Sequence, residues 1–192
     1  MERGQEHAES GLRNMATRSG RTVTDTDSGV WGEATATFSP DRIHRYSLTR
    51  VWDSRLPIVN FLMLNPSTAD AFTLDPTNRR CVGFARDWGF GGLATTNIFA
   101  FRSTDPKGLR LAADPVGSEN DRAILDAVRS AELVVAAWGT HGELFGRGRQ
   151  VGAMVAETGV ELHALRLTKA GHPGHPLYVS ADSEPVAFTC VG

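Results

Sequence analysis

Apolar residues recur along the chain with two different periods, and each period predicts a different element. Apolar and polar positions alternate over 34–38 and again over 46–52, and the turn residues at 39–42 between them predict an antiparallel hairpin. Four later segments are short and almost continuously apolar, as expected for strands covered on both faces: 58–64, 93–100, 133–138 and 162–167.

Helices are predicted between these strands. Asp75 suits an N-cap and Pro76 suits the first helical position, and an apolar stripe of helical period follows over 81–88. Similar stripes near 124–128 and 151–155 predict two more helices. Because strands alternate with helices, we expect an α/β fold with a central, mainly parallel four-stranded sheet flanked by helices, preceded by an N-terminal antiparallel hairpin.

Residues 1–29 show neither period. They are polar, charged and rich in Gly, Ser and Thr, which predicts a disordered tail, and both Met1 and Met15 are candidate start residues. A chain of 192 residues suits one domain with a substantial core. We therefore expect a single α/β domain over 30–192.

Composition and charge argue against several classes of protein. The 20 Lys and Arg residues against 22 Asp and Glu give a net charge of -2, which argues against a tight binder of duplex DNA. Two cysteines without a CxxC pair argue against a disulfide scaffold and a zinc ribbon. No apolar run is long enough to span a bilayer and no secretory signal is visible, so a cytoplasmic protein without membrane partners is expected.

Polar groups follow each of the four apolar strands. In open parallel sheets ligands bind beyond the carboxyl ends of the strands, so these segments are expected to share one functional rim. Asn65-Pro66-Ser67 follows the first strand, where Pro66 favours an extended Asn65 and aims its amide in one direction. The same residues are common in turns that simply end a strand, and the motif alone does not separate the two interpretations.

The rim carries further candidate groups. His172 and His175 lie on a proline-rich loop, where an imidazole could stabilise an anion, transfer a proton or bind a metal, or could simply be solvated. Asn97 lies within an apolar strand and needs a hydrogen-bond partner if it is buried. Phe99 and Arg102 offer a ring beside a cation, as in sites that hold bases and phosphates, although Phe99 equally suits a core position.

The combination of motifs resembles a known family. The domain-of-unknown-function family 1643 is similar over about 45–179, and the resemblance implies no particular reaction. The residues that carry it are Leu64-Asn65-Pro66-Ser67-Thr68-Ala69-Asp70, Asp75-Pro76-Thr77, Arg79-Arg80-Cys81, Asn97-Ile98-Phe99-Ala100, Trp138-Gly139 and His172-Pro173 with His175-Pro176-Leu177-Tyr178.

The order of these motifs also resembles the uracil-DNA glycosylase superfamily more distantly. That resemblance implies that Asn65 places a water, that Asn97 reads a base edge and that His172 or His175 stabilises the departing base anion. Arg102 or Arg79 would hold phosphate. Three features depart from the pattern: Gly174 replaces the Ser expected after His-Pro, no carboxylate stands beside Pro66, and no long basic loop for opening duplex DNA is evident.

Three functions are therefore considered. The first is an N-glycosidase-type hydrolase acting on a nucleotide, nucleoside, or damaged or single-stranded nucleic acid. The second is a non-catalytic nucleotide or nucleic-acid binding module, and the third is a metal-dependent hydrolase using His141, His172, His175 and Asp70. No cofactor and no bound transition metal are expected, because the rim holds more amides than carboxylates and no thiolate cluster.

These hypotheses select the site residues. The catalytic candidates are Asn65, His172 and His175. The substrate-binding candidates are Ser67, Asp70, Asp75, Arg79, Asn97, Phe99, Arg102, Gly139 and His141.

Overall fold

The elements below come from a computed structural model that describes residues 17–68 and 72–190. The strands are β1 (Thr17–Ser19), β2 (Thr22–Gly29), β3 (Gly32–Phe38), β4 (Arg45–Val51), β5 (Ile58–Met63), β6 (Gly92–Asn97), β7 (Leu133–Ala136), β8 (Leu162–Ala164) and β9 (Val186–Ala187). The helices are α1 (Pro76–Asp87), α2 (Gly108–Leu111), α3 (Asn120–Ser130) and α4 (Arg147–Ala156), with 3-10 helices at Thr140–Gly146 and Pro176–Tyr178.

All of these strands form a single mixed sheet. Its nine strands run in the order β1-β2-β3-β4-β6-β5-β7-β8-β9. The pairs β6–β5, β5–β7 and β7–β8 are parallel, and every other pair is antiparallel. The prediction of a central, mainly parallel four-stranded sheet is therefore wrong. The reason is that β4 hydrogen-bonds to β6, from Leu48 opposite Thr95 to Val51 opposite Gly92, which joins the N-terminal strands to the central sheet.

The N-terminal strands begin earlier than the sequence pattern indicates. Residues 17–29 form β1 and β2, although they belong to the segment for which a disordered tail was predicted. Thr22, Thr24 and Thr26 alternate along β2, and threonine favours extended backbone. Val23 is the buried anchor of β2 and pairs with Phe38 of β3. The rest of the predicted tail, residues 1–16, lies outside the described residues, and a single domain over 30–192 stays a prediction.

Helices cover both faces of the central strands. One face of β5 contributes Leu62 to a core with α3 and α4, and its other face contributes Val59 and Phe61 to a core with α1. The predicted start of α1 is confirmed, because the Asp75 carboxylate accepts the N–H of Asn78 at 2.7 Å and Pro76 is the first helical residue. The buried positions of α1 include residues of the predicted stripe: Cys81, Phe84 and Ala85.

The parallel strands bring four loops to one edge of the sheet. Because β6, β5, β7 and β8 run side by side in one direction, the segments that follow them all lie at their shared carboxyl edge. This edge positions the candidate site. Across the described ranges, none of the helices has the length and apolar character needed to cross a membrane.

Candidate functional site

A cleft of about 720 Å³ opens at the carboxyl edge of the parallel strands. Asn65 follows β5, Asn97 ends β6, Gly139 follows β7 and Thr168 follows β8, and all four line the cleft. Its volume falls in the range of small-molecule sites, roughly 300–1,000 Å³. The structure thus joins residues from the ends of all four parallel strands in one cavity. The predicted site residues that line it are Asn65, Ser67, Asp75, Asn97, Gly139, His141 and His175.

Asn65 is held by its side-chain amide nitrogen. Nδ2 donates to the carbonyl oxygen of Ser103 at 2.8 Å and to that of Pro66 at 3.2 Å. The N–H of Ser103 donates to the Pro66 carbonyl at 2.9 Å, so the segments after β5 and β6 are tied together. No described residue donates a hydrogen bond to Oδ1 of Asn65. The amide therefore offers the cleft an oriented acceptor.

The two histidines of the His-Pro loop lie on different sides of the loop. The N–H of Gly139 donates to the carbonyl of Pro173 at 2.8 Å, which pins the centre of the loop and buries Pro173. Nε2 of His172 lies 3.1 Å from Oε1 of Glu143 and lines a separate cavity of about 460 Å³. His175 lines the cleft. The structure therefore keeps His175 with Asn65 and separates His172 from them.

His175 is a neutral imidazole of defined orientation. Burial lowers its pKa below the ordinary value of 6.5, and the nearby Asp75 carboxylate opposes this shift in part. Nδ1 accepts the N–H of Leu177 at 3.3 Å, so the ring proton of the neutral form is on Nε2. The side chain can donate one hydrogen bond from Nε2 to a ligand.

Two buried amides of the cleft lack a hydrogen-bond partner for their oxygen. The oxygen atoms are Oδ1 of Asn97 and Oδ1 of Asn78, on side chains that are 2% and 4% exposed, and no partner is found within the described part of the chain. Nδ2 of Asn120 donates to the Asn97 carbonyl at 3.0 Å and holds the end of β6 in place. Buried polar atoms are nearly always paired, so two unpaired amide oxygens on residues that line one cleft are unusual.

Arg45 is a cleft residue that the sequence pattern does not predict. It is the first residue of β4 and is only 4% exposed. None of the described residues accepts a hydrogen bond from its guanidinium or forms an ion pair with it. Burial, followed by the charge of Arg102, lowers the pKa of Arg45 to about 10, against the opposing effect of Asp75. It remains a cation at neutral pH.

Several predicted site residues lie outside the cleft. Phe99 is fully buried in the core and packs edge to face on Phe145, with ring centroids 6.3 Å apart. Arg79 is exposed and donates to the Leu74 carbonyl at 3.1 Å. Arg102 donates to the carbonyls of Arg42 and Thr68, so it braces the loop after β5. Asp70 lies outside the described residues.

The sequence profile of a family described as "Protein of unknown function (DUF1643)" matches residues 45–177. The chain belongs to this family. The DUF1643 match includes Arg45 and the ends of all four parallel strands, so it spans most of the cleft. No curated protein and no solved structure matches the chain, and the resemblance to uracil-DNA glycosylases is not confirmed.

The metal ligands considered for this DUF1643 member are not assembled in the described structure. His172 faces Glu143 in the second cavity, whereas His141 and His175 line the cleft. Over 17–68 and 72–190, no group of three or more His, Cys, Asp or Glu side chains is placed to hold a metal ion. Asp70, the fourth ligand considered, lies outside these ranges.

Proposed function

We propose that the cleft binds a small molecule that carries a nucleobase. The observation that carries this proposal is the pair of buried, unpartnered amide oxygens on Asn78 and Asn97. A nucleobase edge presents N–H donors and ring acceptors side by side, and asparagine amides match this pattern in base recognition. The ligand would supply the hydrogen bonds that the protein does not make for itself.

An aromatic residue at the mouth of the cleft favours the binding of a planar ligand. Tyr178 lines it, is 80% exposed, and its ring centroid lies 5.6 Å from that of His175. Stacking of a base on an aromatic ring contributes about 1–3 kcal/mol and tolerates different bases. Tyr178 therefore offers an unoccupied ring face where a planar group could stack.

Calorimetric titration tests the binding proposal. Free bases, nucleosides and nucleotides would be titrated into the wild-type protein and into Asn97→Ala. Binding of at least one of these compounds is expected, with affinity reduced about tenfold by Asn97→Ala because a buried hydrogen bond to the base is lost. Absence of binding across the panel would refute the proposal, and so would identical affinities for the two proteins.

Hydrolysis of an N-glycosidic bond is a second candidate, favoured by one observation. Asp75 lines the same cleft as Asn65 and His175, and its carboxylate would take the place of the one absent beside Pro66. In this reaction water attacks the anomeric carbon and loses a proton to Asp75, while the bond to the base breaks. Oδ1 of Asn65 would orient the water, and Nε2–H of His175 would stabilise the departing base anion.

Product analysis separates hydrolysis from binding. Release of free base from a bound nucleoside or nucleotide would be followed by chromatography for the wild type and for Asp75→Asn. Asparagine caps a helix about as well as aspartate, so α1 should keep its start while the proton acceptor is lost. If the protein hydrolyses the bond, the wild type should release free base, and Asp75→Asn should release it at a rate at least about a hundredfold lower. If the ligand binds and no free base is released, the protein is a binding module without this activity.

A further inference from the structure

Arg45 is a buried charge that has no partner in the described structure and lines the cleft. Its side chain is 4% exposed, and its backbone N–H donates to the Ala100 carbonyl at 2.9 Å, which fixes the start of β4. Removing an ion from water is costly, so buried cations are normally paired with an anion. Arg45 therefore lines the cleft, and no described residue supplies the anion that such a position requires.

The charges around Arg45 also favour an added anion. Arg102 and Arg50 both lower its pKa, which places two further positive charges near its guanidinium. Asp75 is the acidic residue that opposes them, and one of its oxygens already accepts the N–H of Asn78. Among the described charged groups that act on Arg45, two are therefore cations and one is an anion.

Neutral donors also line the cleft. The hydroxyls of Ser67 and Thr77 line the cleft, and no described residue forms a hydrogen bond with either. Thr77 belongs to the first turn of α1, a helix of 12 residues whose N-terminus favours negative charge. A phosphate group accepts several hydrogen bonds from different directions, whereas a carboxylate offers two oxygens in one plane.

We infer that Arg45 forms a phosphate subsite in the cleft, with Ser67 and Thr77 as further donors, so that the ligand is a nucleotide and not a nucleoside or a free base. The inference rests on the proposed binding of a nucleobase and adds the phosphate group. It replaces the phosphate-binding roles expected for Arg79 and Arg102, because neither lines the cleft. Arg166 and Lys169 also line the cleft but are exposed, so water competes for their charge.

The test compares ligands with and without phosphate on matched variants. Inorganic phosphate, nucleoside monophosphates and the corresponding nucleosides would be titrated calorimetrically into the wild type, Arg45→Gln, Arg45→Lys and the rim control Arg166→Gln. We expect the wild type to bind a monophosphate about tenfold or more tightly than its nucleoside. Arg45→Gln should abolish this difference and the binding of inorganic phosphate. Arg45→Lys should keep part of it, and Arg166→Gln nearly all of it.

The outcomes separate the two proposals. Equal wild-type affinities for nucleosides and their monophosphates would overturn the phosphate subsite and leave nucleobase binding intact. Phosphate binding that survives Arg45→Gln, or that is lost in Arg166→Gln instead, would also overturn it. In a further outcome, the wild type binds inorganic phosphate through Arg45 and binds no nucleoside or nucleotide. That result would support the phosphate subsite and refute the proposed binding of a nucleobase. No binding of phosphate or of any free base, nucleoside or nucleotide would refute both.

Discussion

Nδ2 of Asn65 lies 2.8 Å from the carbonyl oxygen of Ser103, so the loop after β5 is hydrogen-bonded to the loop after β6. Asn65 is therefore both a tie between two loops and a lining residue of the cleft. These two roles make different demands on a substitution. A change at Asn65 is expected to affect stability as well as ligand binding.

Asn65→Ala should lower the free energy of unfolding by about 1–2 kcal/mol, because two hydrogen bonds from the amide are lost. Urea denaturation measures this change. Ser67→Ala is the matched control on the same loop, since the Ser67 hydroxyl bonds to no described residue, and it should stay within about 0.5 kcal/mol of the wild type. A variant Asn65→Ala as stable as the wild type would show that the tie to Ser103 contributes nothing.

Alanine substitution of two buried asparagines on adjacent strands should affect protein stability and ligand affinity in opposite orders. Asn60 bonds to the Ala94 carbonyl and exchanges hydrogen bonds with Thr96, so Asn60→Ala should cost about 1–3 kcal/mol of stability. Asn97→Ala removes an amide oxygen that has no partner among the described residues, so no hydrogen bond to that oxygen is lost and the cost should be about 0.5 kcal/mol or less.

The same denaturation experiment measures both asparagine variants. Ligand affinity should show the reverse order, with a loss for Asn97→Ala and none for Asn60→Ala. Equal destabilisation by the two substitutions would mean that Asn97 is a structural residue, and its assignment to the ligand would have to be withdrawn.

His175 should make stability depend on pH in one direction. Its pKa is lowered in the folded protein, so below the ordinary value of 6.5 the unfolded chain binds more protons than the folded one. The contribution is fully present above pH 6.5 and is lost as the pH falls from 6.5 through the lowered pKa. Urea midpoints from pH 8 to pH 5 should therefore decrease more for the wild type than for His175→Gln.

This pH series needs a control that removes a histidine other than His175. His141→Gln removes a histidine from the exposed rim of the same cleft and serves as this control. If His175→Gln keeps the full acid sensitivity of the wild type, burial of His175 is not its cause.

The two histidines of one loop should differ in their effect on the ligand. Nε2 of His172 faces Glu143 in the second cavity, so His172→Ala should change the dissociation constant by no more than about twofold. His175→Ala removes a donor from the cleft and should weaken binding about tenfold. Calorimetry with the best ligand of the panel measures both, and the opposite order would move the site to the second cavity.

Local patterns predict the central elements well because those elements are set by neighbouring residues. The cap at Asp75 and the proline after it place the start of α1, and the apolar run of β5 marks a strand buried on both faces. The partner of β4 is different, because β6 lies more than forty residues further along the chain and no local period encodes the pairing. The nine-stranded sheet could not be deduced for this reason.

Arg45 escapes prediction because of an irregularity in the sheet. Phe38 pairs with Arg45 while Thr37 pairs with Ser47, so Tyr46 is an extra residue in β4. Such a bulge breaks the alternation of side chains between the two faces, and Arg45 and Tyr46 are both buried although they are neighbours. If buried and exposed side chains alternated strictly along β4, either Arg45 or Tyr46 would be predicted to lie in solvent. The separation of His172 from His175 likewise depends on the tertiary hydrogen bond from the N–H of Gly139 to the Pro173 carbonyl, which the sequence does not display.

The antiparallel strands β1, β2 and β3 have a consequence beyond extending the sheet. Every described residue that lines the cleft lies at or after Arg45, so these strands contribute nothing to the cavity itself. They do occupy the hydrogen-bonding groups of β4 that face away from β6. Without them, β4 would be an exposed edge that invites other chains to pair with it. The N-terminal strands thus cover the edge of β4 and protect the chain from aggregation through that edge. A fragment beginning at Arg45 should self-associate even though it retains every described residue of the cleft.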